Sequence, residues 1–257
     1  MTAGSQPTSH AHSLAGVRFL VTGGARGIGL AVSRTVLECG GRVAVCDLSP
    51  DATVAETLGD PGERWRPFKV DVSAEKHVVE CVASVADWLG GIDVLVNNAG
   101  INAPGPTREL PLETWQQVLS INLTGAFLFC RETARHMHAG ASIVNVASIH
   151  AFVGSRLHGG IAYAASKAGL VGMTKSLAVE WAPHIRVNAV APTYVETQLT
   201  RERLDDAAYR DAVLGRQPIP HLAQAKNVAD AICFLASPAA AMITGTTVPV
   251  DGGWLSA

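Results

Sequence analysis

Seven short runs rich in Val and Ile recur along this chain, and segments with helical spacing separate them. The runs cover 17–22, 42–47, 66–70, 92–96, 142–147, 185–190 and 246–250, each bounded by Gly, Asp, Asn or Pro. Between them, 29–39, 74–89, 113–137, 163–181 and 226–236 carry apolar residues at helical intervals. Strand–helix alternation on this scale predicts an α/β fold: a doubly wound parallel sheet of about seven strands, with right-handed crossovers and helices on both faces. A sheet covered on both faces needs strands that are apolar throughout. The composition fits, at 48% hydrophobic against 16% charged residues. No repeat or linker interrupts the alternation, so one domain is expected over 14–257, after a small, polar, flexible tail over 1–13. The most irregular stretch is 194–225, with Pro218, Pro220 and a charged run from Arg201 to Arg210. A long connection beyond the carboxyl ends of the strands is a candidate substrate lid; a solvated helical excursion explains the charges equally well.

Charge and cysteine content exclude several classes of partner. A net charge of −2 supplies no basic field for nucleic acid or an anionic membrane. The five cysteines are scattered without a Cys-x-x-Cys pair. That pattern argues against a metal site or disulfide framework and for reduced thiols in the cytoplasm. No apolar stretch is long enough or free enough of charge to span a membrane, and the first residues lack the apolar segment of a signal peptide.

The first strand runs into Thr22-Gly23-Gly24-Ala25-Arg26-Gly27-Ile28-Gly29. A glycine-rich turn that opens a helix lets backbone approach phosphates and offers them unpaired N–H groups at the positive end of the helix dipole. A purely structural turn reads the same way. Farther on, Tyr163-Ala-Ala-Ser-Lys167 places a phenol and an ammonium on one helix face. A lysine charge about 4 Å from a tyrosine, at an effective dielectric near 20, depresses its pKa by about 3 units. The phenol would then exchange protons near neutrality, as a general acid or base must. Ser148 ends the apolar run at 142–147, where it could bond a substrate oxygen or cap a turn. Asn97-Asn98-Ala99-Gly100 ends another strand in the same manner. Asn122 sits inside the helix at 113–137, a poor place for asparagine.

These motifs, in register from Thr22 to Gly253, resemble the short-chain dehydrogenase/reductase family, in its branch of about 250-residue single-domain enzymes. The resemblance implies a Rossmann-type fold and assigns Asn122, Ser148, Tyr163 and Lys167 to the catalytic tetrad. Gly23, Arg26, Gly27, Ile28 and Gly29 match the phosphate loop, and Asp71 with Val72 the adenine contact. Asn98, Ala99 and Gly100 match the central-sheet motif. Pro192, Val195 and Thr197 match the nicotinamide-side segment, and Asp251-Gly252-Gly253 the C-terminal signature. The implied reaction is hydride transfer between a secondary alcohol and nicotinamide. Tyr163 would move the hydroxyl proton and Ser148 would polarise the oxygen. Lys167 would hold the nicotinamide ribose and lower the tyrosine pKa, and Asn122 would hold a water of a proton relay. Such enzymes are usually homotetramers. Enoyl reductases of the family space the tyrosine and lysine farther apart than here, and regulators built on the fold are expected to lose that pair.

Two questions stay open in the residues. Asp47 ends the second strand, where a carboxylate accepts ribose hydroxyls and repels a 2′-phosphate. Leu48 beside it supplies no compensating charge, so NAD is favoured. Arg26 argues for NADP, which leaves dual use open. On the substrate side His150 could bond a second hydroxyl or a carboxylate, or face solvent, and His158, Asn102, Tyr194 and Glu196 are further candidates. Thr193 stands where the family usually has glycine. The polar set leans toward a sugar, polyol or cyclic hydroxylated alcohol, oxidised by NAD; a 3-oxoacyl or 3-hydroxyacyl substrate is the alternative.

Overall fold

The computed structural model describes residues 14–50, 52–154 and 160–257. The expected tail over 1–13 and the candidate His158 lie outside the described residues. Seven parallel strands form a single sheet: β1 (Arg18–Thr22), β2 (Arg42–Asp47), β3 (Trp65–Lys69), β4 (Val94–Asn97), β5 (Ala141–Val146), β6 (Ile185–Pro192) and β7 (Thr247–Val250). Their order is β3-β2-β1-β4-β5-β6-β7. The chain therefore reverses its direction of travel between β1 and β4, which opens a crevice above the carboxyl ends of those two strands. The doubly wound α/β sheet expected from the alternation is what the chain forms.

Alternation of side chains along each strand feeds two cores. Phe19 and Val21 of β1 join Val43, Val45, Val94, Val96, Val144 and Val190 on one face. The helices α1 (Gly27–Glu38), α2 (Ala52–Leu58) and α9 (Ala225–Ala236) pack there. Leu20, Ala44, Leu95, Ile143 and Val187 point the other way, beneath α3 (Glu75–Leu89), α5 (Gly125–Ala134) and α6 (Ile161–Trp181). Pro67 and Pro249 sit in β3 and β7, the two edges, where a missing N–H costs no ladder partner on the outer side.

Several boundaries differ from the sequence reading. The second and last gaps of the alternation hide short elements: α2 was not anticipated, and 194–225 contains α7 (Gln198–Leu204) and α8 (Ala207–Leu214). The run at 92–96 becomes a strand only from Val94. Ile92 instead donates its N–H to His136 O at 3.3 Å, in the turn that follows α5. The expected helix over 113–137 is α4 (Leu112–Leu119) and α5 joined by one π-helical turn, Ser120–Thr124, and it ends at Ala134. Asn122 lies within that turn. The strain of an asparagine inside a helix is thus relieved by widening the helix locally, which turns its amide toward a backbone partner outside the helix.

Candidate active site

A cleft of about 520 Å³ opens above the carboxyl ends of β1, β4, β5 and β6. It is lined by the cofactor candidates Gly23, Arg26, Gly27, Ile28, Asp47, Leu48, Asp71, Val72, Asn98, Ala99, Gly100, Tyr163, Lys167, Pro192, Val195 and Thr197. Gly29 is the exception: it is buried beneath the loop. A Cβ there would fall on the Gly23 carbonyl oxygen and 2.6 Å from Asn98 Nδ2. Gly23, at φ +60, would bring a Cβ to 2.8 Å from Ala99 Cα. Two of the loop's glycines are therefore required by packing against the β4 turn, a reason the sequence reading, which ascribed them to phosphate approach, did not contain.

Asn98 and Thr22 tie that turn to the loop. Asn98 Nδ2 donates to Thr22 O and Gly23 O at 3.1 and 2.9 Å, and Thr22 Oγ1 accepts from the N–H groups of Asn98 and Ala99. Asp47 holds the loop from the other side, accepting Ala25 N–H at 3.1 Å and Ser49 N–H at 3.3 Å. Each carboxylate oxygen keeps a further acceptor site. No side chain caps α1, and its first turn carries no acid. The amides of Gly27 and Ile28 border the cleft at the positive end of a 12-residue helix. These features fit an anionic dinucleotide: uncapped amides for the pyrophosphate, and Asp47 at the tip of β2 for ribose hydroxyls. Asp71 accepts both the amide and the hydroxyl of Ser73, which holds its carboxyl below the usual range and fixes the rim at the end of β3.

Ser148, Tyr163 and Lys167 meet at the inner end of the cleft. Gly160, at φ +112, starts α6 and sets Tyr163 in its first turn. The Ser148 hydroxyl hydrogen-bonds the Tyr163 phenol and lowers its pKa, but burial acts more strongly and holds the phenol above its ordinary value. Lys167 Nζ lies 5.5 Å from the centroid of the Tyr163 ring and donates to Val146 O at 2.6 Å. Burial lowers its pKa to about 8. The expected depression of the tyrosine by the lysine is thus not what this geometry gives: the ammonium reaches the end of β5 rather than the phenol oxygen. Asn122 is buried behind Gly100. Its Oδ1 accepts Ile101 N–H at 2.8 Å, and its Nδ2 donates to Ile101 O and Ser166 Oγ. A Cβ on Gly100 would stand 3.3 Å from Asn122 Oδ1 and 3.6 Å from Lys167 Nζ, so glycine keeps open the space between those two groups.

Beyond Ser148 and Tyr163 the cleft continues into a side pocket of about 60 Å³, lined in part by Asn102, His150, Thr193, Tyr194 and Tyr209. His150 meets the rings of Tyr163 and Tyr194 edge-on, with centroids 6.3 and 5.9 Å away. Burial lowers its pKa, against a hydrogen bond to the Val153 backbone. It is a pocket residue whose burial favours the neutral imidazole, and not a solvent-facing loop histidine. Tyr194 packs with Leu204, Val213, Leu222 and Trp254 in a small core beneath α7 and α8. Val195 bridges Ala223 and closes the base of the excursion. Asp251 accepts the amides of Gly253 and Leu255, which places Trp254 in that core. Thr193 needs no glycine-like backbone, since no described residue other than glycine has positive φ. Glu196 does not join the pocket: it is exposed and pairs with Arg210 at 3.5 Å. Thr193, Arg203 and Tyr209 line the pocket without having been singled out as substrate contacts. Arg203 and Tyr209 lay inside a charged run that reads as a solvated surface.

Among the described residues no helix is long and apolar enough to cross a membrane, and no group of three or more His, Cys, Asp or Glu is placed to hold a metal. Residues 23–255 match a family model described as enoyl-(acyl carrier protein) reductase. The chain is 42% identical to cis-4-hydroxycyclohexanecarboxylate dehydrogenase of Sinomonas cyclohexanicum, over 91% of this chain and 95% of that protein. It is 41% identical to D-threitol dehydrogenase of Mycolicibacterium smegmatis, over 91% of each. A 45%-identical short-chain type dehydrogenase/reductase of Sinorhizobium fredii is longer, and this chain spans 43% of it. A solved structure from Beutenbergia cavernae, assigned as an NAD(P)-dependent gluconate 5-dehydrogenase with bound NADP, superposes with a TM-score of 0.89 at 35% identity. That match covers 96% of this chain and 100% of the other.

Proposed function

The chain belongs to the short-chain dehydrogenase/reductase family and is an NAD(P)-dependent oxidoreductase acting on CH–OH groups, and from that premise we propose that it oxidises a compact, hydroxylated secondary alcohol with Tyr163 as general base. The observation that carries the reading is the Ser148–Tyr163 hydrogen bond at the junction of the cleft and the side pocket, with Lys167 behind it. Tyr163 takes the hydroxyl proton while the carbinol carbon gives up its hydride. Ser148 donates to the same oxygen and orients it. Lys167, anchored on Val146 O, keeps further N–H groups for the cofactor ribose. Asn122 and Gly100 hold open a proton path beside Lys167. A bound nicotinamide supplies the hydride acceptor.

Asp47 at the tip of β2 supports NAD as the preferred cofactor, while the exposed Arg26 keeps NADP as the alternative. For the substrate, the small pocket lined by hydroxyl-bearing side chains favours a sugar, polyol or cyclic alcohol over an acyl chain on a carrier. The names of the D-threitol and hydroxycyclohexanecarboxylate relatives support this choice. The enzyme is read as cytoplasmic and homotetrameric, with α7 and α8 as the substrate lid over a single domain. The test is an NAD- and NADP-linked absorbance screen of secondary alcohols, sugars and hydroxy acids. Turnover with NAD is expected to exceed that with NADP in kcat/KM. Tyr163→Phe is expected to lose at least about 10³-fold in kcat and still bind NADH. Near-normal turnover in that variant refutes the role of Tyr163, and silence across the panel with both cofactors returns the chain to the regulator class.

A further inference from the structure

Resting on the dehydrogenase reading, we propose that the substrate is a vicinal diol, and that Thr193 and Tyr209 bind its second, non-reacting hydroxyl while Ser148 and Tyr163 hold the first. Thr193 and Tyr209 reach the side pocket from different parts of the fold. Thr193 follows the last residue of β6, and its N–H donates to Val250 O of β7 at 3.2 Å. Tyr209 lies in the first turn of α8, whose N-cap Asp206 accepts the amides of Ala208 and Tyr209. Its ring meets that of Tyr194 edge-on, with centroids 6.0 Å apart, against the small core beneath α7 and α8. Backbone pairing sets one side chain in place and ring packing the other. Neither arrangement uses the hydroxyl.

Those two hydroxyls stand apart from the rest of the lining. Their oxygen atoms are buried and have no hydrogen-bond partner among the described residues. The other polar side chains around the pocket are already engaged. Ser148 bonds Tyr163, Thr200 donates to Val195 O, and Asn102, His150, Tyr194 and Arg203 each have a partner. A buried hydroxyl without a partner costs free energy until a ligand supplies one. A hydroxyl both donates and accepts, so one substrate hydroxyl satisfies the pair by accepting from one and donating to the other. A pocket of about 60 Å³ holds only a few non-hydrogen atoms, which keeps that hydroxyl on the carbon next to the reacting one. In the reaction, hydride passes from the first carbinol carbon to the nicotinamide and the hydroxyl proton passes to Tyr163. The second hydroxyl leaves unchanged, in a hydroxy ketone. Thr193 and Tyr209 are binding residues on this account and take no part in the proton transfer.

The experiment compares the stereoisomers of 2,3-butanediol with 2-butanol and 3-hydroxybutyrate, and the 1,2-cyclohexanediols with cyclohexanol, using NAD and the full chain. At least one diol should exceed its mono-alcohol by about 100-fold or more in kcat/KM, because the mono-alcohol leaves both pocket hydroxyls unpaired. Thr193→Val and Tyr209→Phe should each cut that diol-to-alcohol ratio by about 10-fold, and Thr193→Ser should keep most of it. Saturation-transfer NMR on the enzyme–NADH complex provides a readout without turnover. A diol should bind wild type and bind Thr193→Val and Tyr209→Phe about 10-fold more weakly, with NADH fluorescence showing that both variants are folded. Mono-alcohols or 3-hydroxybutyrate oxidised as well as the diols, or a ratio that either variant leaves unchanged, overturns the proposal and leaves the dehydrogenase reading intact. Diol binding that depends on both residues, without oxidation of any alcohol, upholds the hydroxyl site and refutes the dehydrogenase reading. Absence of both diol binding and diol preference overturns the hydroxyl site.

Discussion

Lys167 holds its charge in a place where water cannot help, and burial moves its pKa from 10.5 to about 8. Between those values an unfolded chain still binds a proton that the native protein has released, so native stability rises with pH in that window. Lys167→Met removes this dependence. Between pH 7 and pH 9.5 wild type should gain about 2 kcal/mol relative to the variant, read as a shift of about 4–8 °C in the difference between their Tm values. A difference in Tm that stays constant with pH would show that Lys167 is more hydrated than its burial implies. Tyr163 is pushed the opposite way, upward, so its acid form dominates at neutral pH and oxidation of alcohols should accelerate into the alkaline range. The Tyr-x-x-x-Lys spacing was legible in the chain, but the sign of the tyrosine shift was not. Spacing along a helix says which side chains are neighbours; it does not say that the lysine tip reaches across to Val146 O.

At the scale of elements, the glycine turn and α1 form a joint whose shape depends on the β4 turn. The sequence showed a turn fit for phosphates. It did not show that Gly29 faces Asn98, because that contact joins segments some 70 residues apart. Gly29→Ala should therefore destabilise the fold by about 1–3 kcal/mol by overpacking and weaken NADH binding at least 10-fold, as measured by urea unfolding and fluorescence titration. A variant with wild-type stability and affinity would mean that the joint yields without cost. The helix carrying Asn122 teaches the same lesson in another form. A polar residue at an unfavourable helical position was visible in the sequence, and the π turn that resolves it required the backbone of Ile101 as a partner.

For the molecule as a whole, apolar side chains left in water mark where copies are expected to meet. Leu112 and Phe127 are 63% and 44% exposed on α4 and α5, and Val179 is 82% exposed on α6. Light scattering after gel filtration should give the mass of four 26.8 kDa chains, and Phe127→Glu should shift it to a smaller species. A monomer at micromolar concentration would refute the assembly. The amino-acid sequence by itself determined the parallel sheet, the glycine turn and the position of Asp47 at the end of the second strand. Each of these is written in local periodicity, or in residues a few positions apart. Only the tertiary structure decided that Ser148 bonds Tyr163, that Asn122 lies behind Gly100, that His150 lines the side pocket and Glu196 does not, and that Arg203 lines it too. These depend on strand ends, a helix start and the α7–α8 excursion converging from distant parts of the chain. Local patterning dictates how each segment folds, and only packing dictates which segments face one another.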